Sequence, residues 1–382
     1  MLRYWTAGES HGKGILALVD GFPAGIEVAL DVINRELARR QGGFGRGGRQ
    51  RIERDQVEIL SGLWRGVTIG SPIAIWVANR DFKIDSMEDL ASPRPGHGDL
   101  AGAIKYFSSI RGILERASAR ETVGRVAAGA LARQLLSGVN IEVLGYVVEI
   151  GPVECPATSG SLDALRQLRD SSELYTLCPE SEDKAKEYIR KCQKEGDTVG
   201  GVVEVRVENV PFGLGTHAQW DRKLDGRLAQ AVMAIQAIKG VEIGLGFQAA
   251  RQPGSKVHDP IHFEQSQTNT RTFGFCRSSN HAGGLEAGMT NGQPIILRAA
   301  MKPISTLARP LESVNLKTRE AERAACERSD ICAVSAASVI VENVVAFEIA
   351  AALVEKFGGD HIEEIRRRIE LFEQMTRERL GL

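Results

Sequence analysis

The chain is 382 residues long, 43% hydrophobic and 25% charged, with a formal net charge of -1. That balance describes a globular chain with ample material for a large core, and it argues against a disordered chain or one with general nucleic-acid affinity. The N-terminus MLRYWTAGESHGKG lacks an apolar signal core and no run of roughly eighteen uncharged apolar residues follows, so a cytoplasmic protein outside the membrane is expected. Six cysteines show neither CxxC nor metal-like spacing, which reads as reduced thiols and no metal.

In chain order, the first feature is Gly8-Glu9-Ser10-His11-Gly12, a histidine on small, turning backbone. A helix is predicted from Val32 to Arg40. It runs into RELARRQGGFGRGGRQRIER, where seven arginines between Arg35 and Arg54 face only Glu36 and Glu53. Strands follow at Gln56 to Leu60 and Ile73 to Val77, and then Arg94-Pro95-Gly96-His97-Gly98-Asp99 frames a second histidine. A helix is predicted from Ile113 to Leu136, with strands at Val143 to Ile150 and Val202 to Val207. Another helix is predicted from Asp221 to Lys239, stopped by Gly240. The glycine-rich SSNHAGGLEAGMTNG spans Ser278 to Gly292, followed by a strand at Pro294 to Ala299 and by Lys302-Pro303-Ile304-Ser305-Thr306. Helices from Ser338 to Phe357 and from Ile362 to Leu380 close the chain. Regular strand-helix alternation is missing, which favours an α+β fold of antiparallel sheets packed on long helices.

Several of these segments read as parts of an anion site. Clustered glycines let the main chain turn with positive φ or approach a ligand closely, and a cation with two hydroxyls follows at Lys302 to Thr306. A tight surface loop is the competing reading. Arginine grips phosphate or carboxylate in forked geometry. For the basic stretch the alternatives are a solvated loop or an RGG-like contact with single-stranded RNA. The glycine patterns at Gly213 to Ala218 and Gly244 to Ala249 lack the strand-turn-helix context of a dinucleotide fold, and no Walker loop is present. His11 and His97, framed by glycine and proline, are candidates for proton transfer at neutral pH. His281 has similar framing, whereas His217, His258, His262 and His361 read as structural or exposed.

GESHG, RRQGGFGRGGR, RPGHGD, ERASARET, GLGTHAQWDRKLDGRLAQAVMAIQAIKGVEIG, the glycine loop and RSDICAV occur in the order and spacing of chorismate synthases. The chain therefore resembles that family over nearly its whole length, which implies one domain, residues 1–382, with a β-α-β sandwich. The resemblance implies a homotetramer that converts 5-enolpyruvylshikimate 3-phosphate to chorismate by 1,4-elimination. It also implies reduced FMN as cofactor, with NADPH as its reductant in some members, and no nucleic-acid or membrane partner. By the same resemblance His11 protonates the departing phosphate, His97 sits by the reduced flavin, and Asp330 assists proton removal through the flavin. Arg40, Arg46, Arg49 and Arg120 would bind substrate. The flavin would lie against Arg116, Ala117, Ser118, Gln236, Ala237, Ala287, Lys302, Pro303, Ile304, Ser305, Thr306 and Arg328.

Residue by residue, alternatives stay open. Arg116 and Arg120 fit a solvated helix face, Gln236 and Ala237 fit ordinary helix filler, and Asp330 fits a helix cap. The chain also departs from the family pattern. Ser329 stands where members often have histidine, Ala287 where many have glycine, and residues 107–111 lack an aspartate often found there. Two other classes compete, an FMN-dependent NAD(P)H oxidoreductase and a non-enzymatic RNA-binding protein.

Overall fold

The computed structural model describes residues 1–47, 54–325 and 330–382. An N-terminal hairpin of β1 (Arg3–Gly8) and β2 (Gly14–Asp20) is followed by α1 (Leu30–Gln41), β3 (Val57–Ile59) and β4 (Ile73–Ala78). Next come α2 (Asp99–Tyr106), α3 (Ile110–Ala117), α4 (Thr122–Ser137), β5 (Glu142–Ile150) and β6 (Val153–Glu154). The chain continues through α5 (Leu162–Ser171), α6 (Pro179–Glu195), β7 (Gly201–Glu208), α7 (Leu224–Met233), β8 (Ile238–Ile243) and β9 (Ile295–Met301), and ends with α8 (Val334–Phe357) and α9 (Ile362–Leu380).

Two antiparallel sheets, ordered β1-β2-β4-β3 and β8-β9-β7-β5-β6, enclose a helical layer. Alternation drives the first sheet inward, because Ile15, Ala17 and Val19 of β2 and Ile73, Ile75 and Val77 of β4 are all buried. Helix α4 covers that face, α8 covers the second sheet, and the two helices pack on each other. The arrangement is the expected β-α-β sandwich. By length and composition α8 resembles a membrane span, but 89% of its most apolar stretch is buried inside the protein. Its lack of a polar stripe is that of a helix surrounded by core. At Gly129 of α4 an added Cβ would sit 2.2 Å from the Asn343 carbonyl oxygen, so the two helices touch through backbone there.

A polar cluster interrupts this core. Glu342 of α8 pairs with Arg39 at 2.9 Å, Arg133 at 3.2 Å and Arg169 at 3.3 Å. Glu36 pairs with Arg39 at 2.8 Å and Arg133 at 2.9 Å, and accepts from Asn343 at 3.0 Å. Burial works to raise the Glu36 carboxyl, and the charges of Arg133 and Arg39 outweigh it, holding the group well below the usual carboxylate range. The cluster joins α1, α4, α5 and α8 in one register, because each charge has at least one partner on another helix.

Two predicted helices need correction. The helix expected over Ile113 to Leu136 breaks at Ser118, which is extended (φ -63°, ψ 144°) and whose hydroxyl accepts from Arg120 N–H. The one expected over Asp221 to Lys239 ends at Met233, and Gly240 lies inside β8 beside a bulge. The β-branched Ile238, Val241 and Ile243 pair with β9 instead, so tertiary strand pairing overrides the helical pattern. The N-terminal hairpin and helices α2, α5 and α6 were not foreseen.

Candidate active site

A cavity of about 430 Å³ opens where the two sheets and the helical layer leave a gap. Its wall combines segments far apart in the chain: His11, Arg40, Arg46, His97, Ala117, Ser118, Arg120, Gln236, Ala237, Lys302 to Thr306 and Asp330 all line it. Leu114, Ile235, Met301 and Ile340 supply an apolar side.

On the cationic side the arginines point inward. Asp55, fully buried, accepts from Arg40 at 2.8 Å and from Arg120 at 2.6 Å. Arg46 pairs with Asp330 at 2.8 Å, and Asp330 also accepts the Gly47 N–H at 2.6 Å. Three guanidinium groups thus meet two carboxylates, leaving positive charge beside the cavity. Burial, reinforced by the nearby Arg120 and Arg46 and opposed by Asp55, pulls Arg40 down to about 10. Burial acts to raise Asp55, but Arg40 and Arg120 hold it below its ordinary value. Among the described residues, Nε of Arg40, Nε of Arg46 and Oε1 of Gln236 are buried without a hydrogen-bond partner. Such donors and such an acceptor on an amphipathic wall fit an anionic ligand with a planar apolar part, the character of a flavin mononucleotide.

Each histidine is braced by a carboxylate. His11 Nδ1 lies 2.8 Å from Glu115 Oε1 and its backbone N–H donates to Glu115 Oε2 at 2.7 Å. Asn79 shapes the same loop by donating to the carbonyls of Glu9, Ser10 and Gly12, while its Oδ1 accepts from Arg120 Nε at 2.8 Å. His97 Nδ1 lies 2.5 Å from Asp99 Oδ1. Arg94 clamps Asp99 through Nε at 2.9 Å and Nη2 at 3.1 Å, and reaches Thr306 Oγ1 at 2.9 Å. Burial tends to raise Asp99, yet the hydrogen bonds from His97 and Arg94 keep it well below the usual range. Lys302 Nζ donates to the Gly96 carbonyl, closing the loop that carries His97.

Not every expected residue is brought here. Arg116 turns away and donates to the Thr6 carbonyl at 2.8 Å and the Gly8 carbonyl at 3.2 Å. Gln236 and Ala237 line the cavity from the connection between α7 and β8, not from a helix, and Ala237 has φ 68°. Arg49 and Arg328 lie outside the described residues, as does Ser329. Ala287 does not line the cavity. The glycine loop folds around an internal anion instead: Asp259 accepts from Ser279 Oγ at 2.5 Å, His281 N–H at 2.8 Å and Ala282 N–H at 2.9 Å. His361 caps α9 by accepting from Glu363 N–H. Among the described residues no cluster of histidine, cysteine and acid could hold a metal.

Sequence reasoning did not single out Asp55, Asn79, Arg94, Asp99 or Glu115. Asp99 carried a signal, a carboxylate two residues from His97. Asp55 and Asn79 carried none, since Arg120 lies 65 and 41 residues away from them.

The family model for chorismate synthase matches residues 2–354. Chorismate synthase of Geobacter metallireducens is 54% identical, over 96% of this chain and 97% of its own. That of Bacillus cytotoxicus is 48% identical, over 99% of this chain and all of its own. A crystal structure of chorismate synthase superposes with a TM-score of 0.81 at 42% identity, over 99% of this chain and 98% of the other. With a family match across nearly the whole length and this fold behind it, the chain belongs to the chorismate synthase family, lyases of the shikimate pathway to the aromatic amino acids.

Proposed function

We propose that the cavity carries out the 1,4-elimination of phosphate and a proton from 5-enolpyruvylshikimate 3-phosphate, giving chorismate, with FMN bound in its reduced form. The observation that supports this reading best is the set of inward-facing Arg40, Arg46 and Arg120 beside two carboxylate-braced histidines. A substrate with one phosphate and two carboxylates needs such focused positive charge in a chain that is nearly neutral overall. Lys302, Ser305 and Thr306, with Ala117, Ser118, Gln236 and Ala237, would hold the flavin. When bound and reduced, that group supplies electron density to the reacting substrate and is regenerated overall.

The residues divide the remaining work. Breaking the carbon-oxygen bond leaves charge on the phosphate, and His11 Nε2 delivers a proton to it. Arg40, Arg46 and Arg120 hold the anionic groups in line. A proton leaves carbon 6, with Asp330 as the carboxylate that assists its removal. His97, oriented by Asp99, lies on the flavin side. The RNA-binding alternative has little support, because Arg40 and Arg46 are buried in ion pairs and not displayed to solvent.

The deciding experiment is an anaerobic assay for chorismate with dithionite-reduced FMN. Turnover is expected with reduced flavin and none with oxidised flavin. Product formation without flavin, or stoichiometric consumption of NADPH, overturns the reading. NADPH in place of dithionite then tells whether the chain reduces its own flavin. We also infer a cytoplasmic homotetramer, which light scattering checks against the 41.5 kDa chain mass.

A further inference from the structure

We propose that Glu115 is a positioning residue for the elimination, fixing His11 with its Nδ1 proton turned inward and its Nε2 left to serve the cavity. The proposal rests on the reading of His11 as the acid for the departing phosphate.

Three contacts converge on this one residue. Glu115 Oε1 meets His11 Nδ1 at 2.8 Å, Oε2 accepts the His11 backbone N–H at 2.7 Å, and the Glu115 carbonyl accepts the Ser10 N–H at 2.9 Å. The ring and its backbone are therefore docked on the last turn of α3. An ionised carboxylate only accepts, so the proton on Nδ1 must point at Glu115, and Nε2 is the nitrogen through which a proton can pass to a ligand. The Glu115 side chain is 1% exposed, so its charge acts on the ring with little solvent screening. Burial acts to raise Glu115, and the hydrogen bonds and charge of His11 outweigh it and hold the carboxylate ionised.

The other charges around His11 are weaker candidates for this role. Asp81, after β4, is 3.9 Å from Nε2 and pairs with Lys83 at 3.0 Å. Arg111, one turn earlier on α3, adds its charge to the groups that lower Glu115. Glu9 and Lys13 lie on the His11 loop itself. Asn79 holds the loop through three carbonyls independently of Glu115, so the loop has a second anchor when the carboxylate is removed.

Glu115→Gln keeps the shape but removes the charge and presents a donor to one of two donors. It is expected to lower kcat about tenfold to a hundredfold with KM within about twofold, and to make turnover fall off at lower pH than in the unmodified enzyme. The test is a double-mutant cycle with His11→Asn. If Glu115 acts through the ring, the double variant is no slower than His11→Asn alone. Additive losses, or unchanged kcat in Glu115→Gln while His11→Asn is impaired, overturn the proposal and leave the His11 reading standing. Wild-type turnover in His11→Asn removes the His11 reading itself. Should Glu115→Gln not fold, Glu115→Asp withdraws the same contact by one methylene, with the same kcat-only loss expected and an unchanged kcat equally fatal.

Discussion

Arg46 and Asp330 meet at 2.8 Å, joining the basic loop after α1 to the segment just before α8. Asp330 does not cap that helix: Ala333 occupies the N-cap position and no side chain bonds there. Asp330→Asn removes no helix cap but breaks the largely buried Arg46 ion pair, so the thermal midpoint is expected to fall modestly. Turnover should fall by roughly two to four orders of magnitude, as when a group that assists proton transfer is lost. Substrate affinity should weaken as well, because Arg46 loses its charged partner. Anaerobic turnover and a melting curve on the same sample check both, and an intact rate would remove Asp330 from the proposed chemistry.

Removing the carboxylate between Arg40 and Arg120 should be costly. Asp55→Asn leaves two buried guanidinium groups facing each other, and breaking a buried pair typically costs about 3 to 5 kcal/mol. Urea unfolding measures the loss. Added inorganic phosphate should restore part of it if the site takes anions, since a ligand that binds only the folded form stabilises it. A variant as stable as the parent would mean that water reaches both arginines.

Stability should also fall in acid, with a sign fixed by the carboxyls. Glu36, Asp55 and Asp99 are all held below their ordinary values in the folded protein. Their stabilisation is fully present above the unfolded carboxyl value of about 4 and is lost as pH falls through the folded values. Unfolding midpoints measured from pH 7 down to pH 3, as an approximate window, should therefore decline most steeply below about pH 4. Glu36→Gln should start lower and show a flatter decline.

Ala287 occupies the left-handed region with φ 51°, a conformation that costs alanine about 1 kcal/mol or more. Ala287→Gly should relieve that strain, offset in part by the greater freedom of glycine in the unfolded chain. A thermal midpoint equal to or slightly above the parent is expected. Flavin affinity should not change, because the Ala287 loop of this chain stays outside the cavity. Altered affinity by flavin fluorescence would indicate that another copy brings its loop to the site.

Much of the architecture was legible from local pattern. Alternating Ile73, Ile75 and Val77 marks β4, and the apolar run from Ser338 to Phe357 marks most of α8. Signals for α5 and α6 were present too, in Ser161 as N-cap, Pro179 at the first turn and Gly196 after the last. His11, His97, Arg40 and Arg46 stood out because charged and imidazole side chains near glycines make poor core, whereas Arg120 was marked only by the family resemblance. These features need only neighbours in sequence to be recognised.

What the sequence determined by itself was the α+β class, the family and the residues able to grip anions or move protons. The tertiary structure alone decided what those residues face. The break at Ser118 aims Arg120 at Asp55, strand pairing with β9 turns Gln236 and Ala237 out of a helix, and Asp259 takes up donors of the glycine loop. Each outcome depends on a partner tens of residues or more away. Local propensities amount to tenths of a kcal/mol per residue, whereas a buried charge left without its partner costs several, so the distant partner sets the final geometry.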